Sequence, residues 1–356
     1  MSTAIPGAIC VGGSLASFFP LPLLGNPHVQ TILGNLLTGR LRTSRVVKRL
    51  VPLPDGDRIV LHETSSRSPS GMKAPIALLI HGLGGSHRSG YMARMTNRLG
   101  TAGWHVVRMD LRCAGAGIRL ARRFYNAACS ADVRAVVAYL RAAYPNTPMT
   151  VVGFSLGGNI ALKFAGELAA DSPPELCAVA AIAPPIDLIR CSELIARYPL
   201  YDRFYVRNLT TQVAKHQRHF PDLPPIVFPR RTNLRVFDEL YTAPRWGYAD
   251  ALDYYRKASA LPWIKAIRVP TYILTSRDDP FVAVEPFDAL PKLNEVEVHI
   301  SERGGHMGYL GPDGAGGVRW AETQLVHWLG NQVDVDRSLR DWTALRSGRG
   351  ATGPHS

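Results

Sequence analysis

Residues 151–160 read VVGFSLGGNI, from Val151 to Ile160. One hydroxyl, that of Ser155, stands in a run of apolar and glycine residues, with Gly153 and Gly157 two positions to either side. The residues before it (149–153) suit a buried strand, and those after it suit a helix that starts near Leu156 and has 160–170 as its body. A serine held at a sharp strand-to-helix turn points its hydroxyl out of the sheet. The flanking positions must be small, because side chains there would strike the neighbouring strand and helix. The helix start adds positive potential where negative charge develops. Gly153-Phe154-Ser155-Leu156-Gly157 therefore reads as the elbow of a nucleophile.

Outward from this elbow, strands and helices alternate. Residues 76–80, IALLI, form a continuous apolar run suited to a strand buried on both faces. Further strands are expected at 104–109, 178–182, 271–275 and 295–300, and helices at 89–100, from Ser130 onward and at 318–329. In the second of these helices Val133, Val136, Val137 and Leu140 mark one buried face. Residues 45–53 and 58–63 flank Pro54-Asp55-Gly56-Asp57, the pattern of an antiparallel hairpin. The alternation predicts an α/β fold: a mostly parallel sheet with helices on both faces. The stretch 184–262 breaks the rhythm. Rich in Tyr, Arg and Pro, it reads as a lid insertion of helices and loops over the carboxyl ends of the strands, where open sheets bind ligands. The expected layout is an N-terminal extension (1–44) packing on the domain, the domain itself (45–330) and a C-terminal tail (331–356), disordered beyond 345.

Composition narrows the partners. The 356 residues carry 41 Lys plus Arg against 28 Asp plus Glu, a net charge of +13, and only 7 of the 41 are lysines. Nucleic acid or an anionic membrane would use such an excess. The arginines are scattered, however, so no nucleic-acid partner is expected. Five cysteines (10, 113, 129, 177 and 191) form no CxxC pair, which argues against a disulfide framework or structural zinc and for a reducing compartment, the cytoplasm by default. The apolar start is interrupted by Pro6, Pro20 and Pro22 and has no basic leader. A peripheral membrane contact through Phe18, Phe19, Leu21 and Leu23 stays open beside packing on the domain. Oligomeric state is not legible.

Serine needs a base, itself held by a third group. His306 lies in Gly304-Gly305-His306-Met307-Gly308, after the strand at 295–300 and before the last helix. A glycine loop there can present an imidazole to Ser155. His299 and His327 read as packing or surface residues, and nothing places His216 or His219. For the acid, the strand at 271–275 runs into Ser276-Arg277-Asp278-Asp279-Pro280-Phe281-Val282. Either aspartate could serve. The acid-x-x-Val spacing favours Asp279, with Asp278 as a helper or turn residue. The order Ser, Asp, His is the one this topology gives. Oxyanion donors are expected from the backbone N–H of Leu156 and from Leu83 in the loop His81-Gly82-Leu83-Gly84-Gly85-Ser86. His81 reads as a structural residue of that loop. No metal or organic cofactor is needed.

With these segments in place the chain resembles the α/β-hydrolase fold and, within it, the YheT-like branch. The resemblance rests on Asn26-Pro27-His28-Val29-Gln30-Thr31, the loop 81–86 followed by Ser89 and Tyr91, the elbow 153–159, Asp278-Asp279-Pro280-Phe281 and Gly304-Gly305-His306, and it spans residues 18–330. It implies a Ser155–His306–Asp279 triad and carboxylic esters, short, medium or lipid-like, as small-molecule substrates. It also admits acyl transfer to an alcohol on the same triad, and a non-catalytic binding scaffold stands as a further alternative. Two segments depart from it: Leu111-Arg112-Cys113-Ala114-Gly115 and Tyr125-Asn126. Phe154, with Tyr201 and Tyr205 of the insertion, are candidates for contact with the acyl group, while Cys113 reads as packed.

Overall fold

The computed structural model describes residues 17–37, 40–41, 45–65 and 74–347, with helix backbone alone for 334–347. Eight strands form one sheet: β1 (Val47–Pro52), β2 (Arg58–Thr64), β3 (Ile76–Ile80), β4 (His105–Asp110), β5 (Met149–Phe154), β6 (Leu176–Ile182), β7 (Thr271–Ser276) and β8 (Val296–Ser301). Their order is β1-β2-β4-β3-β5-β6-β7-β8. The expected hairpin supplies the antiparallel edge, β1 on β2 and β2 on β4, and every later neighbour is parallel.

The apolar run of β3 shows why the sheet sits in the middle. Ile76, Leu78 and Ile80 enter one core cluster, while Ala77 and Leu79 enter the other, so alternate side chains fill both faces. Helices α3 (Ser130–Ala143) and α4 (Leu156–Leu168) cover the first face, α3 through Val133, Val136, Val137 and Leu140. Helices α2 (Gly90–Thr101) and α10 (Trp320–Ser347) cover the second, through Met92, Met95 and Leu99 and through Trp320, Leu325 and Leu329.

The last helix runs well past the expected end at 329, as far as Ser347. The segment expected to be disordered beyond 345 is thus helical at 346–347, and from 348 on it lies outside the described residues. No helix among the described residues is long and apolar enough to cross a membrane.

Before the sheet, helix α1 (Pro27–Leu36) begins where Asn26 accepts the N–H groups of His28 and Val29 and proline occupies the first turn. Of the apolar residues ahead of it, Phe18 packs against the rings of Tyr309 and Trp320, each at 5.5 Å. Phe19 and Leu23 face outward, 71% and 98% exposed.

Between β6 and β7 the chain forms α5 (Leu188–Ala196), the long α6 (Pro199–His219), α7 (Leu234–Phe237), a π turn (Asp238–Thr242), α8 (Ala243–Trp246) and α9 (Ala251–Ala258). Buried Asn159 of α4 ties this insertion down. Its amide donates to the carbonyls of Ala127 and Ala258 and accepts the N–H of Ala260, so three backbone groups are satisfied by one side chain.

Candidate active site

The turn between β5 and α4 holds Ser155 at φ 51° and ψ −121°, in the left-handed half of backbone space. Its N–H donates to the carbonyl of Ile182, 2.8 Å away. Both flanking glycines are required by contact. A Cβ on Gly153 would strike the Gly157 carbonyl oxygen, and one on Gly157 would lie 2.5 Å from that of Ile80.

Two loops after neighbouring strands bring the other side chains to this serine. The loop after β8 carries His306, whose Nε2 lies 2.9 Å from Ser155 Oγ. The turn after β7 carries Asp279, whose Oδ2 lies 2.8 Å from His306 Nδ1. An ionised carboxylate only accepts, so the ring proton is assigned to Nδ1, and Nε2 is left to accept the Ser155 hydroxyl. The other oxygen of Asp279 accepts the N–H groups of Phe281 and Val282, which fixes the carboxylate's direction. Asp278 serves differently, accepting the N–H of Gly305 at 2.8 Å and so holding the histidine loop.

Opposite the elbow, the loop after β3 is pinned at both ends. The hydroxyl of Tyr91 accepts the N–H of Gly82 and that of Tyr125 accepts the N–H of Gly84. Between them the N–H of Leu83 has no acceptor among the described residues, and neither has that of Leu156 at the first turn of α4. These are the two expected oxyanion donors. Leu83, Leu156, Ser155 and His306 line one cleft of about 800 Å³, its open mouth included. The other walls are mainly apolar and come largely from α5, α6, α7 and the residues after β7.

Residues 75–313 match the model of the family described as alpha/beta hydrolase fold. YheT of Escherichia coli, an esterase candidate by name, is 31% identical over 90% of this chain and 95% of its own. The chain belongs to the α/β-hydrolase family, in its YheT-like branch. Phospholipase ABHD3 of Mus musculus is 27% identical over 83% of this chain and 73% of its own. Among solved structures, the esterase Pf2001 of Pyrococcus furiosus shares the fold at a TM-score of 0.53, with 16% identity over 91% of this chain and 98% of that one.

Of the three acyl-contact candidates in this hydrolase, only Tyr205 lines the cleft. Phe154 is a correction. Alternate residues of a strand face opposite ways, and its ring turns to the far side of the sheet, 5.0 Å from Tyr91. Tyr201 stands one layer back: its hydroxyl meets His28 at 3.2 Å and its ring packs on Phe281, which in turn packs on His306.

Several other histidines have partners elsewhere. Buried His81 donates from Nδ1 to the carbonyl of Gly82 and accepts the N–H of Leu111 at Nε2. Burial pushes its pKa down, which suits a neutral ring bracing the loop after β3. His216 contacts the carbonyl of Ala121 and His299 packs near Trp320. Cys113 is fully buried, with its thiol pKa pushed well up by burial. Arg112, at the first departure from the family pattern, is buried among Asp55, Asp57 and Asp132. At the second departure, Tyr125 supplies the hydroxyl that pins Gly84.

Three buried side chains of the hydrolase have the composition of a metal-ligand set: His62, His87 and Asp110, with one potential ligand atom of each within 4.8 Å of the others. Their hydrogen bonds give them another role. Burial alone would raise the Asp110 carboxyl, but bonds from His62 and His87 overcome it and hold the group well below the usual carboxylate range. The carboxylate also accepts the N–H groups of His87 and Ala116, so its lone pairs are occupied by protein donors. It ties β2 and β4 to the end of the loop after β3.

Proposed function

We propose that this hydrolase cleaves carboxylic esters through an acyl-enzyme formed on Ser155. The observation that carries the reading is the hydrogen-bonded line Ser155 Oγ–His306 Nε2 at 2.9 Å and His306 Nδ1–Asp279 Oδ2 at 2.8 Å, at the wall of an apolar cleft. His306 takes the Ser155 proton as the oxygen attacks the ester carbonyl. The Leu83 and Leu156 N–H groups hold the oxyanion. The C–O bond to the alcohol breaks as His306 returns the proton to it. Water, deprotonated by His306, then attacks the acyl-serine and releases the acid. Asp279 keeps the ring in the required tautomer and stabilises its charged form. The insertion at 184–262 serves as the lid of this site.

The substrate class follows from the walls. Leu188, Ile195, Tyr205, Leu209 and Phe281 favour an aliphatic acyl or alkyl chain of short to medium length, or that of a lipid. The names of the relatives, an esterase candidate and a phospholipase, agree with this class.

The test is turnover of p-nitrophenyl esters of graded acyl length, together with labelling by a fluorophosphonate. Ser155→Ala should lower turnover by at least about 10³-fold and abolish labelling while keeping the fold. Undiminished turnover in that variant would end the reading, and a wild-type protein that takes no label would make the chain a binding scaffold. Running the panel with an added alcohol separates hydrolysis from acyl transfer, because only transfer yields the new ester.

A further inference from the structure

The cleft that holds Ser155 is apolar almost throughout, with one carboxylic acid in its wall. Asp238, 8% exposed, opens the π turn at 238–242 and lines the cleft. Its Oδ1 accepts the Thr242 hydroxyl at 2.6 Å and its Oδ2 accepts the Tyr255 hydroxyl at 2.7 Å. Two neutral donors leave a carboxylate with spare acceptor capacity, since its oxygens offer about four sites. No lysine, arginine or histidine among the described residues pairs with it.

An ionised group in an apolar site without a counter-charge is costly. Tying two hydroxyls together does not need a charge, because the side chain of asparagine could accept and donate to the same pair. Burial pushes the Asp238 carboxyl up to about 6, so the group is still ionised in mildly alkaline solution. The rings of Phe124, Phe237, Tyr254 and Tyr255 line the same cleft. Aromatic faces and a buried carboxylate attract the same partner, a weakly hydrated cation.

We propose that Asp238 is the anchor of a subsite for a positively charged ammonium group, so that the cleft accepts esters whose acyl or alcohol part carries such a group. This rests on the esterase reading above and adds to it the choice of substrate. Ser155 and Asp238 line the same space, so an ester bound at the first can extend to the second. A net charge of +13 repels cations at long range, and any preference for them has to come from a local site.

The experiment compares two series of p-nitrophenyl esters of equal shape, one ending its acyl chain in a trimethylammonium group and the other in a tert-butyl group, across graded lengths at pH 8. For the wild-type protein, kcat/KM should favour the charged ester by at least about tenfold at one length or more. In Asp238→Asn that ratio should collapse to within about threefold of unity, while Thr242→Val, which keeps the carboxylate, should retain the preference. A wild-type preference for the tert-butyl ester at every length would overturn the proposal even if Asp238→Asn failed to fold. Persistence of the ratio in a folded Asp238→Asn would overturn it too. Failure of the underlying esterase reading looks different: neither series is turned over and the fluorophosphonate does not label the wild-type protein.

Discussion

The backbone N–H of His306 donates to the side-chain hydroxyl of Thr31, 2.9 Å away across 275 residues of chain. Thr31 sits on α1, and the same hydroxyl donates back to the carbonyl of Pro27. Neighbouring Gln30 bonds both the carbonyl and the N–H of Leu310, so one helical turn grips the histidine loop at two points. The Asn26–Thr31 motif therefore acts as a clamp on the loop that carries His306. Thr31→Ala should lower kcat about tenfold with little change in KM, because the ring loses its place and the cleft does not, and Thr31→Ser should restore most of it. Steady-state kinetics on a p-nitrophenyl ester decides: an unchanged kcat in Thr31→Ala would remove the clamp from the account.

The two adjacent aspartates should separate sharply. Only Asp279 reaches the imidazole, and Asp278 holds the N–H of Gly305. Asp279→Asn keeps the shape but offers the ring the wrong partner, so turnover should fall by about 10³–10⁴-fold. Asp278→Asn keeps an acceptor for Gly305 and should cost no more than about tenfold. The reverse ranking would move the acid to Asp278.

Gly157→Ala should fail for a steric reason that a neighbouring control does not share. The new methyl would meet the carbonyl oxygens of Ile80 and His81 at 2.5 and 2.6 Å, which are backbone atoms of the adjacent strand and loop. Overpacking of this kind costs about 1–3 kcal/mol or more. Gly100 in α2 has nothing within 4 Å of its missing Cβ, and Gly100→Ala should be neutral or raise stability by about 0.5–1 kcal/mol. Urea unfolding of the two variants tests the contrast, and equal stabilities would refute it.

These relationships mark where the chain is readable. The elbow, the buried strand 76–80 and the glycine loop around His306 announce themselves through local pattern, because period, turn chemistry and small residues act over a few positions. Thr31 and Asn159 fall within recognisable motifs, but nothing local to them tells what they hold. Their partners lie 275 and 32 to 101 residues away, and hydrogen bonds of that reach leave no periodic trace. Phe154 departs from its expected place for a related reason, since adjacency to Ser155 in sequence means the opposite face of the strand in space. Asp238 lies in a stretch without strand or helix periodicity, and only the packing of α9 against the π turn gives it Tyr255 as a partner.

Stability should fall on acidification from pH 7 to pH 5, and Asp238→Asn should make the fall steeper. Burial lowers the pKa of His62, His81, His105, His216 and His299 below the ordinary value of 6.5. Below about pH 6.5 the unfolded chain therefore binds protons that the folded chain refuses, and stability drops with pH. Asp238 has the opposite sign. Its carboxyl rises from 3.8 to about 6 on folding, so the folded chain binds the extra proton, and stability is gained as pH falls through 6 and lost as pH rises. The shift corresponds to a difference on the order of 3 kcal/mol between pH 4 and pH 7.5. Asparagine cannot supply it. Relative to the wild-type protein, Asp238→Asn should thus grow more stable with rising pH across that window, read from denaturant unfolding at each pH. A pH-independent difference between the two proteins would mean that Asp238 does not change its protonation on folding.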